Sequence, residues 1–568
     1  MIATLPKSIE EIQDWQWTYF EPFFQELAAR SLSAENIHDW LVDWTKLADL
    51  INGRLSSLRV AVSQNTADKE SEQQLNDMLK NIIPPFRSAE NRLIKILLAS
   101  GLEPEGMRVP LLKLRAEDEI FSEANLLLLT EEEQLGNDYF KIIGAQTVNW
   151  EGQELTLTRL KLLQLENDRA LREKAWKVGA ERQLQDREAL NGLWVKLLDL
   201  RQTIAHNAGL NNYRDYIWKQ YSRFDYTPQD CLNFHDAIEE VVVPAAKRIL
   251  ERRRQRLGYD SLRPWDLAVD AEGLPALRPF ADATELEQRA EAIFNRVDPD
   301  LGGYYSLMRQ EKLLDLGNRM NKAPGGYKTY LLVKGEWRSF IFMNAVGVES
   351  DVITLLHEAG HSFHGFEVMR LPYSPQRSIG AEFNEVASMA MELLASPYLA
   401  KNDGGYYNEA DAARARIAHL EKIILFWPYM AVVDAFQHWV YSNPNAAREA
   451  ATCDQKWGEL WQRFMGGEDW SGLEDARVTG WHRKLHIFVG PFYYVEYGMA
   501  QLGAIQIWAN SLRNHKQAVA DYRKAHRLGG TASLPDLYAT AGAKFAFDVP
   551  MLKMAVDLCE RTIAELEK

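Results

Sequence analysis

His357-Glu358-Ala359-Gly360-His361 puts two imidazoles four residues apart, with a carboxylate beside the first. On a helix, residues four apart share a face, one turn from each other. Two neutral imidazoles at that separation can bind one zinc ion. Glu358 points about 100° round the helix from His357 and does not ligate the same ion. It can instead take the proton of a water that the metal acidifies and pass it to a leaving amine. With 12 His in 568 residues and Glu at roughly one in twelve, chance supplies about 0.02 such pentapeptides per chain. The competing reading is a buried polar helix without metal. Gly360 costs about 1 kcal/mol of helix propensity relative to Ala, which points to another segment packed closely against it.

A catalytic zinc ion needs a third protein ligand and an open position. Residues 380–392 read as a second helix and supply Glu382, Glu385 and Glu392. Glu385 and Glu392 are two turns apart on one face, so one can ligate while the other supports it. Spacing does not choose between Glu382 and Glu385. His364, three residues after His361, reads as a core histidine or as a support for the ligands.

These helices need a frame. Asp351 stands where the first helix begins. Just before it, residues 327–344 read as two short strands around Lys334-Gly335-Glu336, preceded by Ala323-Pro324-Gly325-Gly326. That hairpin either covers the core or offers an edge, near 340–344, to an extended peptide. Most of the remaining chain has the three-and-four spacing of long amphipathic helices, notably 8–100, broken near Pro84-Pro85, and 155–205. Further breaks fall at 101–110, 258–279, 402–405, 466–480 and 528–535. The fold expected is mainly α, with one small sheet beside the metal helix. A helical N-terminal region over 1–150 precedes a catalytic helical region over 151–568.

The net charge is -15 and the pI about 5.4. That disfavours a nucleic-acid partner, which would need a dense basic face. Cys231, Cys453 and Cys559 are far apart, odd in number and without CxxC spacing, which argues against disulfides or a cysteine metal site. The first seven residues lack an apolar leader, and no run approaches 18 uncharged apolar residues. A cytoplasmic protein that spans no membrane is the expectation.

The combination of 323–326, the hairpin ending Phe340-Ile-Phe-Met-Asn344, and Thr354-Leu-Leu-His-Glu-Ala-Gly-His-Ser-Phe-His364 resembles the thimet oligopeptidase / oligoendopeptidase F family of zinc peptidases. Phe383-Asn-Glu-Val-Ala-Ser-Met-Ala-Met-Glu392 resembles that family's second metal helix, and Asn207-Ala-Gly209 with Asn212-Tyr-Arg-Asp215 adds to the likeness. The resemblance covers roughly 200–545; the first 150 residues are similar only as generic helices. It implies a two-lobed, clam-like helical body with a deep channel that admits short unfolded peptides. It implies one zinc ion held by His357, His361 and Glu385, supported by Glu392. It also implies that His486 and Tyr497, with Tyr493 and Tyr494 more weakly, meet the substrate and its oxyanion. Pro491-Phe492 departs from the Gly-Tyr pair of the thimet type and is closer to the oligoendopeptidase F and Pz-peptidase branches. Gly325, Gly326, Phe342 and Asn344 are the expected substrate contacts of the hairpin.

Two rivals remain. A zinc carboxypeptidase or dipeptidase would need a cation for the terminal carboxylate, for which Arg319 and Arg377 are candidates. A catalytically inactive peptide-binding protein would not need Glu358. Oligomeric state is not written in the sequence.

Overall fold

Apolar positions recurring at three and four fold as helix over most of the described residues, which are Leu5, Pro6 and 8–568 of a computed structural model. Met1–Thr4 and Lys7, part of the stretch read above for a leader, lie outside them. The 8–100 region forms the helices Trp17–Ala29, Ile37–Gln64, Lys69–Asn81 and Ile83–Ser100. Pro84 and Pro85, expected as a break, sit in the first turn of the last helix. Amides there have no intrahelical partner, so a proline forfeits nothing.

The 155–205 region is less continuous than its composition suggests. Strands β1 (Thr147–Trp150) and β2 (Gln153–Thr156) form an antiparallel hairpin. Its turn residues Glu151 and Gly152 both have positive φ, 51° and 83°, as a tight two-residue hairpin turn requires. Asp168 then accepts from the amides of Ala170 and Leu171 and starts the helix Arg169–Gln185, followed by Arg187–Asn207.

The expected sheet beside the metal helix is present with three strands. β3 (Leu314–Gly317), β4 (Tyr327–Val333) and β5 (Glu336–Ala345) run in the order β3-β5-β4. β4 and β5 are antiparallel around Lys334-Gly335, and β3 is parallel to β5. β5 is therefore central and hydrogen-bonded on both sides. This corrects the expectation of a free edge near 340–344: the outer edges belong to β3 and, on the hairpin side, to β4. Helix Ile37–Gln64 packs along it, with Gly53 so close that a Cβ there would lie 2.8 Å from Leu332 Cβ.

β5 lies on helix Glu349–Val368, where Ser339 Oγ donates to the Ser362 carbonyl at 3.2 Å. Asp351 sits inside the first turn of that helix rather than capping it. Its Oδ2 accepts from the amides of Val346, Gly347 and Val348 at 2.8, 2.9 and 3.0 Å. Helix Ala381–Ala395 packs between Glu349–Val368 and Tyr494–Leu528. It is buried around nearly its whole circumference, so its acids face protein rather than bulk water.

The main core spans these elements. The N-terminal helices have a core of their own, from Ile12 to Leu114, which also takes in Leu332 and Tyr373. Helix Glu409–Ser442 is long and apolar enough to cross a membrane, but its apolar stretch is mostly buried inside the body. The three cysteines are buried.

Candidate metal centre

The two helices that carry the motif touch backbone to backbone. A Cβ on Gly360 would lie 2.6 Å from the Ala387 carbonyl oxygen and 2.7 Å from Ser388 Cα. That approach brings Glu385 Oε2 to 3.3 Å from His357 Nε2 and 3.5 Å from His361 Nε2. Ligand atoms held tetrahedrally at about 2.0–2.1 Å from a zinc ion are about 3.4 Å apart. The spacing of the protein atoms and the mixed imidazole and carboxylate donor set thus both fit a zinc ion. Glu382, the alternative left open by spacing, is turned elsewhere. It accepts from Tyr226 Oη at 2.6 Å and lies 3.8 Å from Arg223.

Glu392 sits behind His357, with Oε1 2.7 Å from His357 Nδ1 and Oε2 2.7 Å from His419 Nε2. A proton on Nδ1 directed at this carboxylate leaves the Nε2 lone pair for a metal. Burial pushes Glu392 up, but the hydrogen bonds from His357 and His419 outweigh it and hold it down to about 2. Burial likewise raises Glu385, and the charges and hydrogen bonds of the two histidines reverse the shift and hold it well below the ordinary range. Glu385 also accepts from Tyr493 Oη at 2.6 Å and Ser388 Oγ at 3.1 Å. His419 and Ser388 escaped the sequence reading. His419 stands on a separate helix, 27 residues from Glu392, where no local spacing marks it. Glu358 is 8% exposed. Burial raises its carboxyl, against the opposing charges of His357 and His361.

The aromatic group is set by the departure at Pro491-Phe492. Phe492 has φ +62°, a conformation that costs a bulky residue about 1–3 kcal/mol. It is held by its amide donating to Gln437 Oε1 and its carbonyl accepting from Arg223, both at 2.6 Å. The helix Tyr494–Leu528 starts two residues on, with Tyr493 at its N-cap position. Tyr493 and Tyr497, one turn apart, share a face toward the metal helices. Charge from both Glu385 and Glu358 reaches Tyr497, whose hydroxyl makes no hydrogen bond among the described residues. His486 packs on Tyr493, Tyr494 and Tyr497, with ring centres 5.8, 5.0 and 5.7 Å away. Burial, with help from Lys484, pushes its imidazole down to about 3, so it is neutral near pH 7.

Other predicted residues lie elsewhere. Tyr494 is turned about 100° from Tyr493, into Phe426 and Tyr429, with Lys484 over its ring at 3.6 Å. His364 is fully buried and stacks on His526 at 4.4 Å, away from the ligands. Phe342 is buried under Tyr327 at 4.9 Å and Lys322 at 4.4 Å. Asn344 Nδ2 donates to the carbonyls of Ala323 and Gly325, at 2.7 and 2.9 Å. It pins the Gly325-Gly326 loop, where Gly325 has φ +97°. Arg319 is bound by both oxygens of Asp315, and Arg377 pairs with Asp49 at 3.0 Å.

Residues 162–556 match the sequence model of Peptidase family M3. The chain belongs to that family. Among curated relatives, an oligoendopeptidase F homolog of Mycoplasma pneumoniae is 24% identical over 421 residues, which are 70% of this chain and 65% of that protein. The chain thus spans less than two thirds of that relative's length, and about half the length of other oligoendopeptidase F relatives it matches. Oligopeptidase PepF of Bacillus subtilis is 20% identical over 94% of this chain and 81% of its own. Among solved structures, a Pz peptidase A with an inhibitor is 26% identical, with a TM-score of 0.89 over 99% of both chains. A putative oligoendopeptidase F, also 26% identical, has a TM-score of 0.90 over 98% of this chain and 99% of that one. The mainly helical body is common to this chain and these structures.

Proposed function

We propose that the chain is a zinc-dependent endopeptidase that hydrolyses internal bonds of short, unfolded oligopeptides in the cytoplasm, with one zinc ion per chain. The observation that carries this reading is the spacing of His357, His361 and Glu385, 3.3 and 3.5 Å between ligand atoms, with Glu392 braced behind His357. Membership of Peptidase family M3 supports the same class of reaction. A zinc ion held by these three side chains would supply Lewis acidity, polarising the scissile carbonyl and acidifying a water. Glu358 takes a proton from the attacking water and delivers it to the leaving amine. Its burial excludes competing solvent. Negative charge grows on the carbonyl oxygen as the tetrahedral intermediate forms, and fixed donors must meet it. The free hydroxyl of Tyr497 and the neutral His486 are the donors available; Tyr493 is already committed to Glu385.

The exopeptidase alternative loses support because Arg319 and Arg377 are bound to Asp315 and Asp49. The test is Glu358→Gln, assayed on an internally quenched peptide blocked at both ends. Wild type should cut it. The variant should lose activity by about 10²-fold or more while zinc stays near one per chain. Full activity in the variant overturns Glu358 as the base; a blocked peptide left intact by wild type overturns endopeptidase action.

A further inference from the structure

Three residues of alternating register, Gly326, Lys328 and Tyr330, cross the metal helix on one face of the hairpin. A Cβ on Gly326 would lie 3.6 Å from Thr354 Cγ2, and Tyr330 Cε1 lies 2.6 Å from where a Gly365 Cβ would stand. Alternate strand residues share a face, so Lys328 projects over the helix between those points, at the level of Glu358. The charge of Glu358 favours the ammonium of Lys328, and Lys328 in turn favours the carboxylate of Glu358. Lys328 is nevertheless without an ion pair among the described residues. Its Nζ lies 3.3 Å from the centre of the Tyr330 ring, and the side chain is half-buried and reached by solvent. Burial pulls the ammonium down to about 7, against the charge of Glu358. Glu358 cannot serve as its permanent counter-ion while acting as base, since the reaction neutralises that carboxylate part of the time.

From this placement we infer that Lys328 forms a carboxylate-binding subsite beside the scissile bond and selects peptides with an acidic group there. The inference rests on the peptidase reading above and names the substrate class of the same site. A lysine side chain reaches about 6 Å, and an extended peptide advances about 3.3 Å per residue, so the acid lies within about two residues of the cut. The carboxylate belongs either to an Asp or Glu side chain or to the chain terminus, and the chemistry at the ammonium is the same. Nothing in the sequence pattern flagged Lys328, because its neighbours in the hairpin are apolar, aromatic and polar without order.

The experiment compares matched internally quenched peptides, with Glu or Gln scanned over two positions on either side of the cut. A second pair ends, two residues beyond the cut, in a free carboxylate or an amide. Wild type should prefer one acid over its neutral partner by about tenfold in kcat/KM, as a charged hydrogen bond supplies. Lys328→Met should bring that ratio to about one, Lys328→Arg should keep it, and Lys328→Glu should favour Lys over Gln at the same position. Preference in the scanned pair assigns a side-chain acid; preference in the second pair assigns the terminus. Equal cleavage of all pairs by wild type, or an unchanged ratio in Lys328→Met, overturns the inference and leaves the peptidase reading standing. If wild type cuts no peptide in either set, both fall together.

Discussion

The carbonyl oxygen of Ala387 stands 2.6 Å from where a Cβ of Gly360 would be. The contact sets the separation of helices Glu349–Val368 and Ala381–Ala395, and with it the 3.3 Å between His357 Nε2 and Glu385 Oε2. Gly360→Ala is therefore expected to destabilise the fold and weaken zinc binding. By helix propensity alone the same change should stabilise by about 1 kcal/mol, so the two effects have opposite signs. Thermal melting with and without zinc, together with a zinc titration, decides between them. A variant that melts higher and binds zinc like wild type removes the contact from the account.

Glu392 links His357 to His419, with both distances 2.7 Å. Removing the carboxylate frees His357 to rotate and leaves a buried histidine unpaired. Glu392→Ala should weaken zinc binding by about 10–100-fold, the usual loss when a group behind a ligand is deleted. Glu392→Gln should lose less, since an amide oxygen can still accept from one imidazole. Competition with a chelator of known affinity measures both. Wild-type affinity in Glu392→Ala would mean that packing alone orients His357.

What was legible in the sequence follows from the range of each interaction. His357 and His361 meet by helix periodicity, and Glu385 and Glu392 share a face for the same reason, so local spacing revealed each pair. Which acid joins the histidines depends on how two helices approach; spacing left Glu382 and Glu385 alike, the family resemblance pointed to Glu385, and the physical difference between them lies in Tyr226, Arg223 and Gly360. The hairpin announced itself through its turn. Its central position did not, because β3 is four residues long and pairs in parallel from outside the hairpin. The place of Phe342 and Asn344 beside the motif suggests substrate contacts. Burial of the first and the loop-pinning hydrogen bonds of the second are long-range facts.

Tyr493 and Tyr497 share a helical face but should fail differently when mutated. Tyr493 donates to Glu385 at 2.6 Å, so Tyr493→Phe should weaken zinc binding by about tenfold. Activity should return at saturating zinc. Tyr497 has no such partner, and Tyr497→Phe should keep zinc affinity and KM while kcat drops by about 10²-fold, as for a lost oxyanion donor. Steady-state kinetics across a zinc series separates the two. Recovery of Tyr497→Phe by added zinc would reverse the assignment.

In the N-terminal helices, Glu90 predicts a dependence of stability on pH. It accepts from Trp44 Nε1 at 3.2 Å. Burial, with the charge of Glu117 adding to it, pushes its carboxyl up to about 8, from an ordinary value of 4.5. Between those values the folded chain holds a proton that the unfolded chain has released. Stability from this group therefore falls as pH rises from about 4.5 and levels off above about 8. Glu90→Gln keeps the acceptor for Trp44 and removes the ionisation. Its melting temperature should equal that of wild type near pH 4, exceed it by a margin that grows up to about pH 8, and keep that margin at pH 9. A margin that stays at zero through pH 9 would mean that water solvates the ionised Glu90 in place, and that burial around it is too shallow to hold the proton.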